Sequence, residues 1–287
     1  MKFLTLPKAL YSHPNIKKIL HDHQSCILLK KLDHNLLNQK KICTSHCFIF
    51  VLKGCVEVQT PTNELIKANS GEILFMPRDA YLISDFITVD DSIEMYLIFI
   101  DHNIVNSFLA SKIAVEKQTF SKSIVCKVKS SIHIEKYFTA LDSVYGNFEN
   151  NKDLLSVKII EFLHLIYAYN QTDIVATLAT SEQHKKNRSL ATLMLDNYDK
   201  NLTIADFASL SGRSLSSFNR DFKRKYGKPP KQWLIENRMI KATKLLSNGS
   251  SVTNCAIEVG YSNTSHFIKS YKSIHGKTPS KMKNINL

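Results

Sequence analysis

Residues 218–233 read FNRDFKRKYGKPPKQW and residues 267–282 read FIKSYKSIHGKTPSKM, the same pattern displaced by 49 positions. Phe218/Phe267, Lys223/Lys272, Gly227/Gly276, Lys228/Lys277 and Pro230/Pro279 are identical, and Arg220/Lys269 and Phe222/Tyr271 are similar. Upstream, Ala208-x-x-x-Gly212 matches Ala256-x-x-x-Gly260 at a displacement of 48, so one copy has an extra residue in its turn. Each copy reads as a helix, a tight turn at a glycine and a second helix. That is a helix-turn-helix, present twice.

The residue types suit the arrangement. Alanine in the first helix lets the second cross closely, and glycine tolerates the positive φ of the turn. Ser214 and Asn263 stand where an N-cap would start each second helix. Leu215, Phe218 and Phe222 share one face of the first copy's second helix, as do Phe267 and Tyr271 in the other copy. The opposite faces offer Ser216, Ser217, Asn219, Arg220 and Arg224 in one copy, and Thr264, Ser265, His266, Ile268 and Lys269 in the other. Short polar side chains around an Arg or Lys suit a helix in the major groove, where Arg or Lys reads guanine and Asn can read adenine. The competing reading is two solvated faces of a helical bundle. Between the copies, residues 230–246 place Ile235, Met239, Ala242 and Leu246 on one helical stripe. At 1.5 Å per residue that helix is about 25 Å long, enough to hold two reading heads near the ~34 Å spacing of successive major-groove turns.

Charge points to the same segment. The chain carries a net +13, yet residues 181–287 hold 19 Lys and Arg against 7 Asp and Glu, while residues 1–180 hold 19 against 18. A near-neutral body joined to a basic module suggests a polyanionic partner. The length of 287 residues predicts two domains. With 44% hydrophobic residues, 8 Gly and 7 Pro, the chain is a folded soluble protein rather than a disordered or collagen-like one. Six scattered cysteines without a C-x-x-C pair indicate neither a disulfide framework nor a zinc finger. No run of 18 apolar residues predicts a membrane span, and the start MKFLTLPKAL lacks the apolar core of a signal peptide. A cytoplasmic location and no membrane partner are expected.

From about 25 to 110 the apolar runs are short and punctuated: CFIFVL at 47–52, Val56 and Val58 in alternation, ILFM at 73–76 before Pro77, and IEMYLIFI at 93–100. This predicts a small antiparallel barrel or sandwich. From about 131 the period becomes helical. Leu155, Ile159, Phe162 and Ile166 form a stripe within 154–167 that serves either as a dimer surface or as core of its own domain. Residues 170–188, polar or small with weak periodicity, read as a linker. Beyond it, helices are predicted at 189–198, 203–211, 214–225, 230–247, 252–259 and 263–274.

The motifs S-x-x-x-F-x-R-x-F-K at 214–223, G-x-x-P at 227–230, W-L-x-x-x-R-x-x-x-A-x-x-L-L at 233–246, A-x-x-x-G-Y at 256–261 and G-K-T-P at 276–279 together resemble the DNA-binding domain of the AraC/XylS family of bacterial transcription regulators. By that resemblance Ser216, Asn219 and Arg220 in the first recognition helix, and Thr264, Ser265 and Lys269 in the second, are base-reading positions. Lys269 stands where the family usually has Arg, so its contact would be a point charge rather than a rigid fork. Ile268 stands where a polar contact is common and could touch a thymine methyl, and Cys255 replaces a common core Ile. The front strands with G-x-x-x-x-x-P at 71–77 look like the cupin-like sensing domain of many family members, which answers to sugars, other small molecules or partner proteins. In a group resembling regulators of type III secretion it answers to a protein.

The expected fold is therefore α+β: a cupin-like β-barrel with a helical dimerisation segment (1–170), a linker (171–187), and an all-α double helix-turn-helix domain (188–287). The expected function is sequence-specific regulation of transcription, as an activator, through double-stranded promoter DNA and contact with RNA polymerase. A small-molecule or protein effector at the front domain and a homodimer are further partners the resemblance allows. No catalytic residue, no metal and no cofactor are expected: the lone H-x-H, at His21-Asp22-His23, precedes the main strands, and His46 and His102 read as ordinary satisfied side chains. An enzyme on the cupin-like domain and an architectural DNA binder without base readout are the alternatives.

Overall fold

In the computed structural model, which describes residues 3–22, 24–87, 92–112, 125–146, 150, 152–169, 171–187 and 189–280, the apolar run at 47–52 is strand β5 (His46–Lys53). It is apolar throughout because both its faces are covered. Phe48 and Phe50 point to one core, while Cys47, Ile49 and Val51 point to another. Its neighbour β10 (Ile93–Ile100) divides likewise, with Tyr96, Ile98 and Ile100 on one side and Met95, Leu97 and Phe99 on the other. Continuous apolar strands are what a sheet covered on both faces requires.

These strands lie in a six-stranded antiparallel sheet ordered β11 (Cys126–Val128), β8 (Ile73–Met76), β5, β10, β3 (Ser25–Leu32), β2 (Ile16–Asp22). A five-stranded sheet, ordered β1 (Leu4–Leu6), β4 (Leu36–Cys43), β9 (Ala80–Phe86), β6 (Cys55–Gln59), β7 (Leu65–Asn69), shares a core with it, where Val56, Val58 and Ile83 join Leu28, Ile49 and Leu97. Among the described residues only the β1–β4 pairing is parallel. Cys43 and Cys47 fill this core. Burial pushes the Cys43 thiol up to about 12, far from the depressed range of a reactive thiolate.

The outer face of the six-stranded sheet is covered by α1 (His102–Ala110), α2 (Ile132–Tyr145), α3 (Lys152–Tyr169) and α4 (Gln171–Asn187). Phe138 of α2 stacks on both Phe50 and Tyr96, with ring centroids 4.7 Å apart in each pair, and Phe162 of α3 meets Phe48 edge-on at 5.2 Å. The α3 stripe Leu155, Ile159, Phe162 and Ile166 is thus buried within its own domain. Of the two readings the sequence left open, core packing holds, and the stripe is not available as a dimer surface.

The expected linker at 171–187 is corrected outright: it is helix α4, and the first compact unit runs Leu4–Asn187. Ile174, Val175 and Leu178 enter the same core as α3, and the small Ala176, Thr180 and Ser181 are buried beside them. Small side chains let α4 lie close against α3 and α1, and they are the residues whose composition suggests a loop. Glu182, also buried, lies 2.8 Å from Nε2 of His46 and is paired with the buried Arg78. Although burial works in the opposite direction, the hydrogen bond from His46 and the Arg78 charge hold the Glu182 carboxyl below its ordinary range.

The second unit is Met1–Phe3 together with Arg188–Leu287, and among its described residues the elements are all helices: α5 (Leu190–Leu195), α6 (Ile204–Leu210), α7 (Leu215–Tyr226), α8 (Pro230–Ser247), α9 (Val252–Glu258) and α10 (Thr264–His275). Pro230 opens α8 at a position where its missing N–H costs nothing. Among the described residues no helix is long and apolar enough to cross a membrane.

Phe162→Ala should lower stability by about 3–5 kcal/mol, independently of protein concentration, whereas Val157→Ala on the exposed face of α3 should change it by less than about 0.5 kcal/mol. Denaturant unfolding at two protein concentrations checks both. A Phe162 effect seen only as dimer dissociation would contradict the packing described.

Candidate nucleic-acid interface

The two repeat copies agree atom by atom at their turns. In the first, α6 ends at Leu210, Gly212 takes φ +67°, and the N–H of Arg213 returns to the carbonyl of Ala208 at 3.0 Å. In the second, α9 ends at Glu258, Gly260 takes φ +83°, and the N–H of Tyr261 returns to the carbonyl of Ala256 at 2.9 Å. A left-handed glycine followed by this backward bond is the closure that ends a helix while satisfying its last carbonyls. The alanine shared by the two copies is thus the acceptor of the turn as well as a small packing surface.

The next helix starts the same way in both copies. Ser214 Oγ accepts from the Ser217 N–H at 3.2 Å, and Asn263 Oδ1 accepts from the His266 N–H at 3.1 Å. Each ends on a left-handed glycine, Gly227 at φ +74° and Gly276 at φ +71°. The first helices are capped by Thr203, which forms a reciprocal capping box with Asp206, and by Ser251.

Below the turns, Phe218 and Phe222 of α7 and Phe267 and Tyr271 of α10 are fully buried. Leu215 departs from the expected apolar face: it is 47% exposed at the tip of α7. Above the turns, the candidate residues face water. Ser216, Asn219, Arg220 and Arg224 are exposed on α7, and Ser265, His266 and Lys269 on α10, while Ser217 and Thr264 are half-buried. The Ser216 and Ser217 hydroxyls lie 3.1 and 3.0 Å from the capping Ser214 Oγ, so they are held in one cluster at the helix start. His266 leans on the Tyr261 ring, with centroids 5.5 Å apart. Ile268 is half-buried against the second core.

One feature of this face was not legible as a site residue. Asp221 lies between the arginines of α7, with Oδ1 3.7 Å from Arg220 Nε and 3.3 Å from Arg224 Nη2, and Oδ2 3.6 Å from Arg213 Nε. Arg220 and Arg224 keep 70% and 76% of their side-chain surface exposed, so each pairing is weak, at most about 1 kcal/mol. Their effect is orientational: three guanidiniums are gathered around one carboxylate at the start and middle of α7. The helix period puts Asp221 three residues before Arg224, which is a readable pattern; Arg213 reaches it only through the turn.

Residues 46–178 match the family described as the ExsA N-terminal regulatory domain, and residues 207–285 match a helix-turn-helix domain family. The chain is 31% identical over 128 residues to the virulence regulon transcriptional activator VirF of Yersinia enterocolitica, covering 44% of this chain and 47% of that one. It is 30% identical over 129 residues to the HTH-type transcriptional regulator ExsA of Pseudomonas aeruginosa, covering 45% of this chain and 46% of that one. The chain thus spans about half the length of these curated relatives. Among solved structures it is similar to unsaturated fatty acid bound ToxT from Vibrio cholerae, at 13% identity and a TM-score of 0.42, over 91% of this chain and 95% of that one.

The division between caps and outward faces is testable on stability alone. Ser214→Ala and Asn263→Ala should each cost about 1 kcal/mol as lost helix caps, while Asn219→Ala and Lys269→Ala should stay within about 0.5 kcal/mol of the parent. Thermal unfolding of the four variants measures this. A large loss at Asn219 or Lys269 would mark that side chain as structural.

Proposed function

The chain belongs to the AraC/XylS family of bacterial transcription regulators, and on that premise we propose that it is a sequence-specific activator that reads two successive major grooves of promoter DNA with α7 and α10. The observation that carries this reading is the duplication of the whole cap–turn–cap geometry, which presents two equivalent polar helix faces to water from a basic unit. Arg220, Asn219 and Ser216 supply base contacts from α7, with Ser217 and Arg224 beside them. Thr264, Ser265, His266 and Lys269 do so from α10. The lysines in the last turns, Lys223 and Lys225 on α7 and Lys272 on α10, lie exposed where they can meet phosphates.

Activation rests on the match to relatives named as activators and calls for a contact with RNA polymerase. The front unit, residues 4–187, serves as the regulatory domain on which a protein or small-molecule effector acts. A homodimer would have to use a surface other than the α3 stripe.

Selection of binding sites from a random DNA pool by the full-length protein, at near-physiological salt, should enrich two short sequence blocks about one helical turn apart. On the enriched site, Arg220→Ala should cost about 1–3 kcal/mol and relax preference at one base position, whereas Lys223→Ala should weaken all sequences alike. Tight binding without any enriched sequence would make the protein an architectural binder instead.

A further inference from the structure

Arg238 lies in the middle of α8, between the two repeat copies and part of neither. Its guanidinium is directed away from α8 into the segment that leads to α6. Nε donates to the Tyr198 carbonyl at 2.7 Å, and Nη2 donates to the carbonyls of Lys200 at 2.7 Å and Leu202 at 3.2 Å. Leu202 immediately precedes Thr203, the residue that caps the first helix of the first pair.

The same guanidinium lies over the ring of Tyr261, 5.5 Å from its centroid, and Tyr261 is the residue that closes the turn of the second pair. The turn itself is fitted against this cluster. A Cβ on Gly260 would fall 2.6 Å from the Lys200 carbonyl oxygen and 3.0 Å from Arg238 Nη2. Glycine is therefore required here by close approach as well as by its φ of +83°. One turn along α8, Lys241 Nζ meets Asp199 Oδ2 at 2.7 Å and ties down the same segment. Arg238 is buried, and burial lowers its pKa from the ordinary value. Its charge is balanced by carbonyl dipoles and an aromatic face.

The start of the first helix-turn-helix and the turn of the second thus meet at one buried cation. We propose that Arg238 is a positioning residue that fixes the separation and angle of α7 and α10, and thereby the half-site spacing that the protein accepts on DNA. The proposal rests on the reading of α7 and α10 as DNA-reading helices. A planar fork bonded to three carbonyls constrains both distance and direction, which a lysine ammonium cannot do.

The test uses the full-length protein and its selected site, together with versions of that site carrying one or two extra base pairs between the blocks. Each base pair moves the second block by about 3.4 Å and turns it about the helix axis. The parent protein should bind the lengthened sites far more weakly than the selected one. In Arg238→Lys that spacing penalty should shrink about tenfold, the size of one or two lost base contacts, because the second head can now follow its half-site. Tyr261→Leu, which removes the ring and keeps apolar bulk, should shrink it in the same direction. A purely structural role would lower affinity for every site by the fraction unfolded and leave the ratio unchanged. Folded variants, judged by circular dichroism, that keep the parental spacing penalty would overturn the proposal. So would loss of folding in both, which would assign Arg238 to stability alone. A parent protein with no spacing penalty would instead overturn the two-groove reading itself.

Discussion

Helices of 7 and 12 residues, the lengths of α6 and α9 and of α7 and α10, are too short to persist in water on backbone hydrogen bonds alone. Each pair therefore depends on the wall that the 18-residue α8 provides. Trp233 at one end of α8 meets Phe222 of the first pair at 5.9 Å, and Leu234 is buried beside it. Towards the other end, Met239, Ala242 and Leu246 share a core with Phe267 and Tyr271 of the second pair. Cys255 packs in the same core, its thiol 3.5 Å from the Ala242 carbonyl. With both cores on one rod, the two outward faces keep a fixed relation that neither pair could set by itself.

The front unit follows a different logic. Its central strands are covered on both faces, by a second sheet on one side and by helices on the other, and the aromatic stack Phe50–Phe138–Tyr96 seals the helical side. A buried carboxylate then settles where α4 belongs. Glu182 is held by His46 and Arg78, and removing it would leave the buried Arg78 without the carboxylate it is directly bonded to, a change that costs several kcal/mol in typical proteins. Polar residues thus carry α4 into the core where composition alone would put it in solvent.

The sequence made the second unit readable because its signals are local. A left-handed glycine, a capping Ser or Asn and the apolar spacing of Phe218 and Phe222 are each dictated by the backbone within a few residues. Their repetition at 49 residues makes coincidence a poor explanation. The failures are all tertiary. Residues 171–187 have no strong period of their own, and only the nearness of α1 and α3 makes small side chains adequate. Leu215 obeys the helical period of the buried face yet lies beyond the edge of the core. The roles of Asp221 and Arg238 depend on groups that the turn or the α5–α6 segment brings to them. The Asp221–Arg224 pairing follows from helical spacing, whereas the contacts of Arg213 and Arg238 are set by the tertiary fold.

The central claim is that one rigid basic unit places two helices in successive grooves on one face of the duplex. Hydroxyl-radical footprinting of the full-length protein on its selected site tests this directly. The account predicts two protected blocks on the same face, separated by about one helical turn of 10–10.5 base pairs. A single protected block, or two blocks on opposite faces, would contradict it.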